Sequence, residues 1–313
     1  MDAGYDVSVL LTPARLDEGL FARFTHPRLH FNRLSQWEIR RHFKRFGLGN
    51  AAGVMVTTAG KIADPGDYRS EVAFFGRLRP SQRVLLVEHD ARAGIRRGTL
   101  SPSIVTLREL GLDGASTTAI NPHCFGDVAP HRKHGRTRFA TVGALRSKRR
   151  NSSILVEAVS RLASQGIHDF VVDVVGRGGI RGVPGRLGRH LVIHGRLDFA
   201  AMYGVVEAAD FMLPLLDPEN ESHDRYVTTG TSGTFQLAYG FCKPCLIERK
   251  FAAIHGLGDG NAIVYDGNAG LADAMREGIA CTESGYADIR SRLEAHAADL
   301  ANASMRNLRA LLQ

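Results

Sequence analysis

The sequence predicts a two-domain α/β protein in which helices cover both faces of parallel β-sheets. Apolar stretches of strand length alternate with segments of helical periodicity, which is the pattern of parallel strands joined by crossover helices. The chain has 313 residues, enough for two modest hydrophobic cores. Its 44% hydrophobic content is that of an ordinary globular protein. No apolar run approaches the roughly 18 residues of a membrane span.

The first half is predicted to contain three strands and two helices. The strands are "YDVSVLLTPA", "AAGVMVTTAG" and "QRVLLVEHD", and the helices are "LSQWEIRRHFKRFGL" and "YRSEVAFFGRL". In the first helix Ser35 is a suitable N-cap, and Ile39, Phe43 and Phe46 share one side. Turn residues, two prolines and rising positive charge follow in "ASTTAINPHCFGDVAPHRKHGRTR". We therefore predict a first domain of residues 1–132.

The second half has a clearer alternation of strands and helices. The predicted strands are "RFATVGAL", "DFVVDVVGRGG", "HLVIHGRL", "DFMLPLLD", "KPCLIER" and "GNAIVYD". The helices between them are "NSSILVEAVSRLASQG", "DFAAMYGVVEAA" and "TFQLAYGF". Asn151 or Ser152 would cap the first of these helices, Gly166 would follow its end, and Asp198 would cap the second. We predict a second domain of residues 133–285 and a C-terminal helical segment of residues 286–313.

The charge and the cysteines suggest the kind of partner and the compartment. A formal charge of +8 favours anionic partners. Eight basic residues and no acidic residue lie between His131 and Arg150, namely Arg132, Lys133, Arg136, Arg138, Arg146, Lys148, Arg149 and Arg150. This run is either a solvated face or, because it flanks a strand, part of a ligand site at a strand end. Four cysteines are too few for a disulfide scaffold, and the first residues do not resemble a secretory signal, so we expect a cytoplasmic location.

Two conspicuous motifs do not carry the chemistry that they suggest. Cys242 and Cys245 have redox spacing, but a strand rather than a helix follows them, so structural cysteines are expected. Gly176, Gly178 and Gly182 follow a strand, but too few residues remain for the helix and acidic residue of a dinucleotide-binding motif. The glycine-rich loop either lets a ligand approach the backbone or is an ordinary turn. The sequence contains no Asp-x-Asp motif for a nucleotide-bound metal, so no metal site is expected.

Two quieter features are better candidates for a site. Thr231, Ser232, Gly233 and Thr234 form a turn before a helix, and its N–H groups and hydroxyls could bind an anion or could simply cap the helix. His89 and Asp90 end a strand, where an imidazole could act as a base or hold a sugar hydroxyl, although a lone histidine there is often structural.

Taken in order, four segments of the second half resemble the donor-binding domain of GT-B glycosyltransferases, close to the retaining family-four type. The segments are "FATVGALRSKRRNSSILVEAV", "FVVDVVGRGG", "LVIHGRLDFAAMYGVVEAADFMLPLLDPENE" and "TSGTFQLAYGFCKPCLI". The resemblance covers about 150 residues. In the first half, "VLLVEHD" and "AINPHCFGDV" resemble family segments more weakly. The sequence departs from the family at Gly143–Ala144, where the family has Gly-Arg, and at Gln236–Leu237, where it has its second glutamate.

The resemblance implies two Rossmann-like domains whose parallel sheets face each other across a cleft. It implies transfer of a sugar, hexosyltransferase-like and independent of metal, from a nucleotide diphosphate sugar to a hydroxyl acceptor in cell-surface polysaccharide or lipopolysaccharide synthesis. His89 and Asp90 would be catalytic. The donor would contact Gly143, Arg146, Lys148, Arg150, Asn151, Gly176, Arg177, Gly178, Glu219, Thr231, Ser232, Gly233 and Thr234. No cofactor beyond this donor substrate is expected.

Two other functions stay open at this point. One is a basic binding protein, for nucleic acid or an anionic surface, on a degenerate glycosyltransferase scaffold, although no nucleic acid partner is favoured. The other is a sugar-nucleotide epimerase on the same fold. The expected acceptor is a glycan or lipid-linked saccharide, and the basic helix around Trp37 could also touch the inner membrane peripherally.

Overall fold

The computed structural model describes residues 4–46, 51–57, 84–91, 104–112, 115–145, 150–180 and 183–313. The chain divides into two compact units. Unit 1 comprises Met1–Pro122, Thr228–Thr231 and Leu300–Gln313, and unit 2 comprises His123–Val227 and Ser232–Asp299. The domain limits given above stay predictions.

Unit 1 is built on short parallel strands. In chain order its described elements are β1 (Val7–Leu11), α1 (Pro13–Asp17), β2 (Leu29–Arg33), α2 (Gln36–Phe46), β3 (Val54–Val56), β4 (Val84–Glu88), β5 (Ile104–Thr106), β6 (Gly111–Leu112), β7 (Ala115–Ser116) and β8 (Thr118–Ala119). Strands β3-β4-β5-β8 form one parallel sheet, β1 and β2 form a second parallel pair, and β6 and β7 pair in antiparallel fashion. The three strands predicted in this half are present.

Helix α2 begins with reciprocal capping. The backbone N–H of Glu38 donates to Ser35 Oγ at 3.2 Å, and Ser35 N–H donates to Glu38 Oε2 at 2.7 Å. This capping box satisfies two N–H groups at the helix start, as the sequence predicted for Ser35. The side chains of Phe43 and Phe46, and the helix predicted over "YRSEVAFFGRL", lie outside the described residues.

Unit 2 has a doubly wound parallel sheet. Its strands are β9 (Thr137–Val142), β10 (Phe170–Val175), β11 (Leu191–Gly195), β12 (Phe211–Met212), β13 (Leu246–Glu248) and β14 (Ile263–Tyr265). The sheet order is β11-β10-β9-β12, a parallel bridge joins Met212 to Cys245 at the start of β13, and β13 pairs with β14. Counted within the unit, the strands therefore run 3-2-1-4-5-6, the order of dinucleotide-binding folds, which place their ligands at the carboxyl ends of the strands.

The helices that the sequence predicts in the second half are present, together with short helices that it does not predict. They are α3 (Ser152–Ser164), α4 (Phe199–Ala208), α5 (Arg225–Thr228), α6 (Gly233–Gly240), α7 (Arg249–Ala252), α8 (Leu271–Ala280) and α9 (Glu283–Leu312). Asn151 caps α3 by accepting from Ser153 N–H at 3.1 Å, and Asp198 caps α4 by accepting from Ala201 N–H at 2.8 Å. The apolar face of α3 and the inner face of α8 pack with one side of the sheet to form the main core. By the division above, α9 extends into unit 1 from Leu300 onward.

The cysteines predicted to be structural differ in their surroundings. Cys245 is fully buried at the start of β13, whereas Cys242 is half-buried and has a φ of 49°. That angle is in the left-handed region, which a residue other than glycine adopts at a cost. Between them, Lys243 has only 1% exposure, and its Nζ donates to the carbonyl of Glu207 in the last turn of α4 at 2.7 Å.

Replacing Lys243 with methionine is expected to stabilise the protein most at low pH. Burial lowers the pKa of Lys243 from an ordinary 10.5 to about 7. Between these values the unfolded chain holds a proton that the folded chain releases, so the lysine destabilises the folded state most below about pH 7 and least near pH 10.5. We expect K243M to raise the free energy of unfolding by about 1–3 kcal/mol near pH 6.5, with a smaller gain near pH 9. Urea denaturation at both pH values measures this, with the exposed-lysine variant K250M as control. An equal gain at both pH values would contradict the argument.

Within the described ranges, no helix has both the length and the apolar character needed to cross a membrane.

Candidate functional site

The carboxyl ends of β9 and β10 bring two glycine turns together. In the parallel ladder Val142 lies opposite Val175, and Gly143 and Gly176 follow directly. Gly143 N–H donates to Val175 O at 2.8 Å, and Leu145 N–H donates to Arg177 O at 3.0 Å. The turns therefore continue side by side past the end of the sheet. This is the ligand-binding edge of such sheets, and it places the predicted residues Gly143, Gly176 and Gly178 in one location.

Close backbone approach explains why two of these positions are glycine. A Cβ on Gly176, where φ is 153°, would lie 1.8 Å from the carbonyl oxygen of Gly143. A Cβ on Gly143, where φ is 131°, would lie 2.7 Å from a guanidinium nitrogen of Arg150. Both side chains would overlap existing atoms, so the turns need glycine for steric and conformational reasons.

A buried arginine joins the end of β9 to the start of α6. Arg150 has 5% exposure, and its Nε donates to the carbonyl of Val142 at 2.9 Å. One terminal nitrogen also donates to Val142 O and to Thr234 Oγ1, the latter at 2.5 Å, and lies 3.5 Å from Ser232 Oγ. The structure thus brings Arg150 together with Ser232 and Thr234, three of the predicted donor-site residues.

The start of α6 has a side-chain N-cap and a solvent-exposed glycine backbone. Ser232 is the N-cap, and its Oγ accepts from Thr234 N–H at 3.4 Å. Gly233 is exposed, and a Cβ there would meet no atom of the described residues within 4 Å. A helix start with accessible N–H groups beside a guanidinium attracts anions through both the helix dipole and the fixed charge.

A buried carboxylate, which the sequence analysis missed, lies behind the start of α3. Asp217 accepts from Asn151 Nδ2 at 2.7 Å, from Asn268 Nδ2 at 2.8 Å and from Glu219 N–H at 3.0 Å. Burial by itself acts to raise the pKa of Asp217, but the bonds from Asn268, Glu219 and Asn151 lower it overall. Asp217 is therefore an anion that fixes Asn151, while the side chain of the predicted donor residue Glu219 is exposed.

Two further features of this region could not be predicted from the sequence. Leu215, whose carbonyl accepts from Asn151 N–H at 3.0 Å, has a φ of 52°, a left-handed conformation that leucine rarely adopts. Gln236 in α6 has 6% exposure, and neither atom of its side-chain amide has a hydrogen-bond partner in the described part of the protein. Unsatisfied buried amides are uncommon and mark a position where a missing partner can bind.

The remaining predicted residues are outside the described chain, exposed in the turn after β10, or part of unit 1. Arg146 and Lys148 are outside the described residues, and Arg177 is exposed in the turn after β10. In unit 1, His89 is exposed and its Nε2 lies 3.0 Å from Thr57 O, to which it donates.

Within unit 1, Asp90 contacts the segment Thr228–Thr231. Asp90 accepts from Thr229 Oγ1 at 2.9 Å and forms an antiparallel bridge with Gly230. Thr231, the last residue of this segment assigned to unit 1, is half-buried. Among the residues that the structure describes, no group of three or more His, Cys, Asp or Glu side chains is arranged to hold a metal ion.

No protein-family model and no curated protein sequence matches this chain. Solved structures do match, at low identity. WaaG, a glycosyltransferase involved in lipopolysaccharide biosynthesis, is 14% identical with a TM-score of 0.50, and the match covers 99% of this chain and 91% of WaaG. The UDP-forming α,α-trehalose-phosphate synthase from Burkholderia xenovorans, solved with glucose-6-phosphate, is 11% identical with a TM-score of 0.53, and coverage is 98% and 99%.

This chain has the GT-B fold. A third match is a TarM mutant from S. aureus in complex with Fondaparinux, alpha-GlcNAc-glycerol and UDP, with 9% identity, a TM-score of 0.56 and coverage of 79% of this chain. The chain spans about half of TarM, 54% of its length. At these identities the matches establish the GT-B fold and its Rossmann-like units, which confirms the fold class that the sequence predicted.

Proposed function

We propose that this GT-B protein transfers a sugar from a nucleotide diphosphate sugar to a hydroxyl acceptor, and that the diphosphate binds at the carboxyl edge of the unit 2 sheet. The observation that carries the proposal is the grouping of Arg150 with Ser232 and Thr234 beside the turn at Gly143. Two separate chain segments contribute to it, one with Gly143 and Arg150 and the other with Ser232 and Thr234, and each resembles a segment of glycosyltransferases.

The arrangement suits a leaving group that gains negative charge. As the bond to the sugar breaks, charge grows on the diphosphate, and fixed donors that meet this charge lower the barrier. The N–H groups at the start of α6 are oriented before the ligand arrives, because Ser232 caps the helix and Arg150 holds Thr234. The guanidinium adds positive charge in a buried setting, where electrostatic effects are larger than in water. Arg146, Lys148 and the exposed Arg177 are proposed to supply further positive charge.

The nucleotide is proposed to lie along the turn from Gly176 to Gly178, where the two glycines leave the backbone uncovered on either side of Arg177. Glu219 and Thr231 are proposed to lie toward the donor sugar, with Asn151 fixed by Asp217. The unpaired amide of Gln236 is a further candidate contact, since it is a buried donor and acceptor in the same helix that Ser232 caps. The UDP in the TarM complex and the UDP-forming reaction of the synthase make UDP the first nucleotide to test.

The remaining assignments are proposals for unit 1 and for the setting of the reaction. His89 and Asp90 are proposed to act on the acceptor or donor sugar, without a metal ion or cofactor. The proposed acceptor is a glycan or lipid-linked saccharide in cell-surface polysaccharide or lipopolysaccharide synthesis in the cytoplasm. Trp37, with 63% exposure, and Arg41, whose guanidinium lies 5.1 Å from the Trp37 ring centroid, are the basis for a peripheral membrane contact. Co-sedimentation with anionic vesicles tests that contact.

Isothermal titration with UDP and GDP, and with their sugars, tests the donor site. We expect one nucleoside diphosphate to bind with a Kd between about 1 µM and 1 mM, the range typical of enzyme substrates. The sugar nucleotide that binds should then release its nucleoside diphosphate when incubated with a saccharide acceptor. Absence of binding by all of them at millimolar concentration would rule out the proposal.

The same assays separate the alternatives. A basic nucleic-acid-binding protein would bind RNA or DNA with a steep dependence on salt and would show no preference for nucleoside diphosphates. An epimerase would convert one sugar nucleotide into another without an acceptor and without releasing nucleoside diphosphate. The basic residues between His131 and Arg150 support the first alternative, but the orientation of Arg150 toward Ser232 and Thr234 favours a defined phosphate site.

A further inference from the structure

A cavity lies in unit 2 at the edge of the sheet opposite to the proposed donor site. It has a volume of about 480 Å³ and is lined by residues 131–133 and by the first three turns of α9. His131 precedes β9, and Asp210 directly precedes β12, so both lie at the amino ends of parallel strands. The glycine turns of the donor site follow the carboxyl ends. The two sites are therefore separated by the length of the strands.

A buried carboxylate orients a histidine in the wall of this cavity. Asp210 has 3% exposure; its Oδ1 accepts from His131 Nε2 at 2.8 Å and its Oδ2 accepts from Arg138 N–H at 2.8 Å. The Tyr286 hydroxyl donates to the backbone carbonyl of Asp210 at 3.0 Å. His131 thus has one nitrogen committed to Asp210, and its Nδ1 has no partner among the described residues.

The cavity also contains cationic groups with unused donors. Arg132 is exposed, and its side chain has no hydrogen bond or ion pair with the described residues. Among the described residues, Lys133 Nζ donates only to the carbonyl of Ile279, at 3.3 Å. Arg290 donates to His131 O at 2.9 Å and pairs with Glu294 at 2.6 Å, but its buried Nε has no acceptor in the described chain.

The acidic residues do not neutralise these cations. Glu294 is paired with Arg290, and Glu283 lies in the first turn of α9, where negative charge is favoured by the helix dipole. Arg132 and Lys133 are left as the cations that face the cavity without a carboxylate bound to them. A phosphate group would supply acceptors for both cations and for an N–H at Nδ1 of His131.

We propose that this cavity is a second ligand site, which binds a small phosphorylated molecule through Arg132, Lys133 and His131. The volume lies within the range of small-molecule sites and exceeds what a bare phosphate ion fills, so a phosphate ester is the expected class. The inference is independent of the proposed transferase activity, because none of these residues belongs to the donor site.

Histidine NMR on the full-length protein tests the site, with inorganic phosphate and glycerol phosphate as probes. The His131 resonance, assigned from a His131→Gln variant, should shift in a saturable way with either probe. Tighter binding of glycerol phosphate supports the ester class, whereas equal affinity overturns that class and leaves only a phosphate site. The double variant R132A/K133A should weaken binding by roughly tenfold or more, since two charge-assisted contacts are lost. The single variant R132A, at an exposed position, should show a smaller loss and keeps the test valid if the double variant does not fold.

The control is R177A, which removes an exposed arginine from the proposed donor site. It should leave the His131 titration unchanged. If the shift does not saturate, or if R177A abolishes it while R132A/K133A preserves it, the cavity is not a phosphate site. UDP titrations of the same variants distinguish the two sites, because failure of the donor proposal would appear there and not in the His131 signal.

Discussion

Replacing Gly176 with alanine is expected to unfold the carboxyl edge of the unit 2 sheet and to abolish nucleotide binding. The added Cβ would lie 1.8 Å from Gly143 O, and the backbone at Gly176 has a φ of 153° that side chains disfavour. The colliding atom belongs to the backbone, so no rotamer change can relieve the contact. The turns after β9 and β10 would have to separate, and the hydrogen bond from Gly143 N–H to Val175 O would be strained or lost. We expect a loss of about 3–5 kcal/mol in the free energy of unfolding, the sum of backbone strain and overpacking.

The matched control is Gly179→Ala, three residues along the same turn. A Cβ on Gly179 would meet no atom of the described chain within 4 Å, so its effect on stability should be within about 0.5 kcal/mol. Urea denaturation and titration with UDP, on both variants, provide the comparison. Near-wild-type stability and affinity in G176A would mean that the turns do not approach each other as described.

The location of the proposed donor site could be predicted because it follows from strong local signals. The strands before Gly143 and Gly176 are apolar and flanked by well-capped helices, and parallel strands bring their carboxyl ends to one edge. Arg150, Ser232 and Thr234 were predicted together because their segments resemble the same family in the same order. The structure shows how these residues come together, because the Arg150 guanidinium donates a hydrogen bond to Thr234, which lies 84 residues later in the sequence.

Other parts of the site and fold could not be predicted because they depend on contacts between distant segments. Asp217 is held by Asn151 and Asn268, which lie 66 and 51 residues away, and nothing in its local sequence indicates this network. The left-handed conformations of Leu215 and Cys242 have no signal either, because sequence patterns associate positive φ with glycine. In unit 1, strand β2 was missed because its five residues, "LHFNR", are too few and too polar to stand out.

These two classes of residue have different roles in the proposed reaction. Residues that sequence patterns reveal, such as Gly143 and Ser232, shape the backbone around the phosphate. Other residues are revealed only by the structure. Asp217 holds Asn151 in place, and Gln236 has a buried amide without a hydrogen-bond partner among the described residues. A substitution at a residue that shapes the backbone, such as Gly143 or Ser232, should alter both the stability of the protein and its affinity for the nucleotide. A residue that acts on the ligand through its charge should alter binding more than stability.

Arg150 is the residue on which that distinction can be tested. Replacing Arg150 with methionine is expected to weaken nucleoside diphosphate binding by about 100-fold, since a buried charge and its fixed donors are lost near the phosphate. The effect on folding should be smaller. Val142 O, Ser232 and Thr234 lose a donor, which costs about 1–3 kcal/mol, but the cost of burying a guanidinium is removed at the same time.

Three variants measured by UDP titration and urea denaturation make this test specific. Arg150→Lys keeps the charge but not the branched donors, so it should recover part of the affinity. Arg161→Met makes the same chemical change on the exposed side of α3, where Arg161 lies 3.3 Å from Asp273, and it should leave UDP affinity unchanged. If R150M binds UDP like the wild type, Arg150 serves only to join β9 to α6. If R161M weakens binding as much as R150M does, the effect is one of net charge, and the basic-binding alternative gains support over a defined phosphate site.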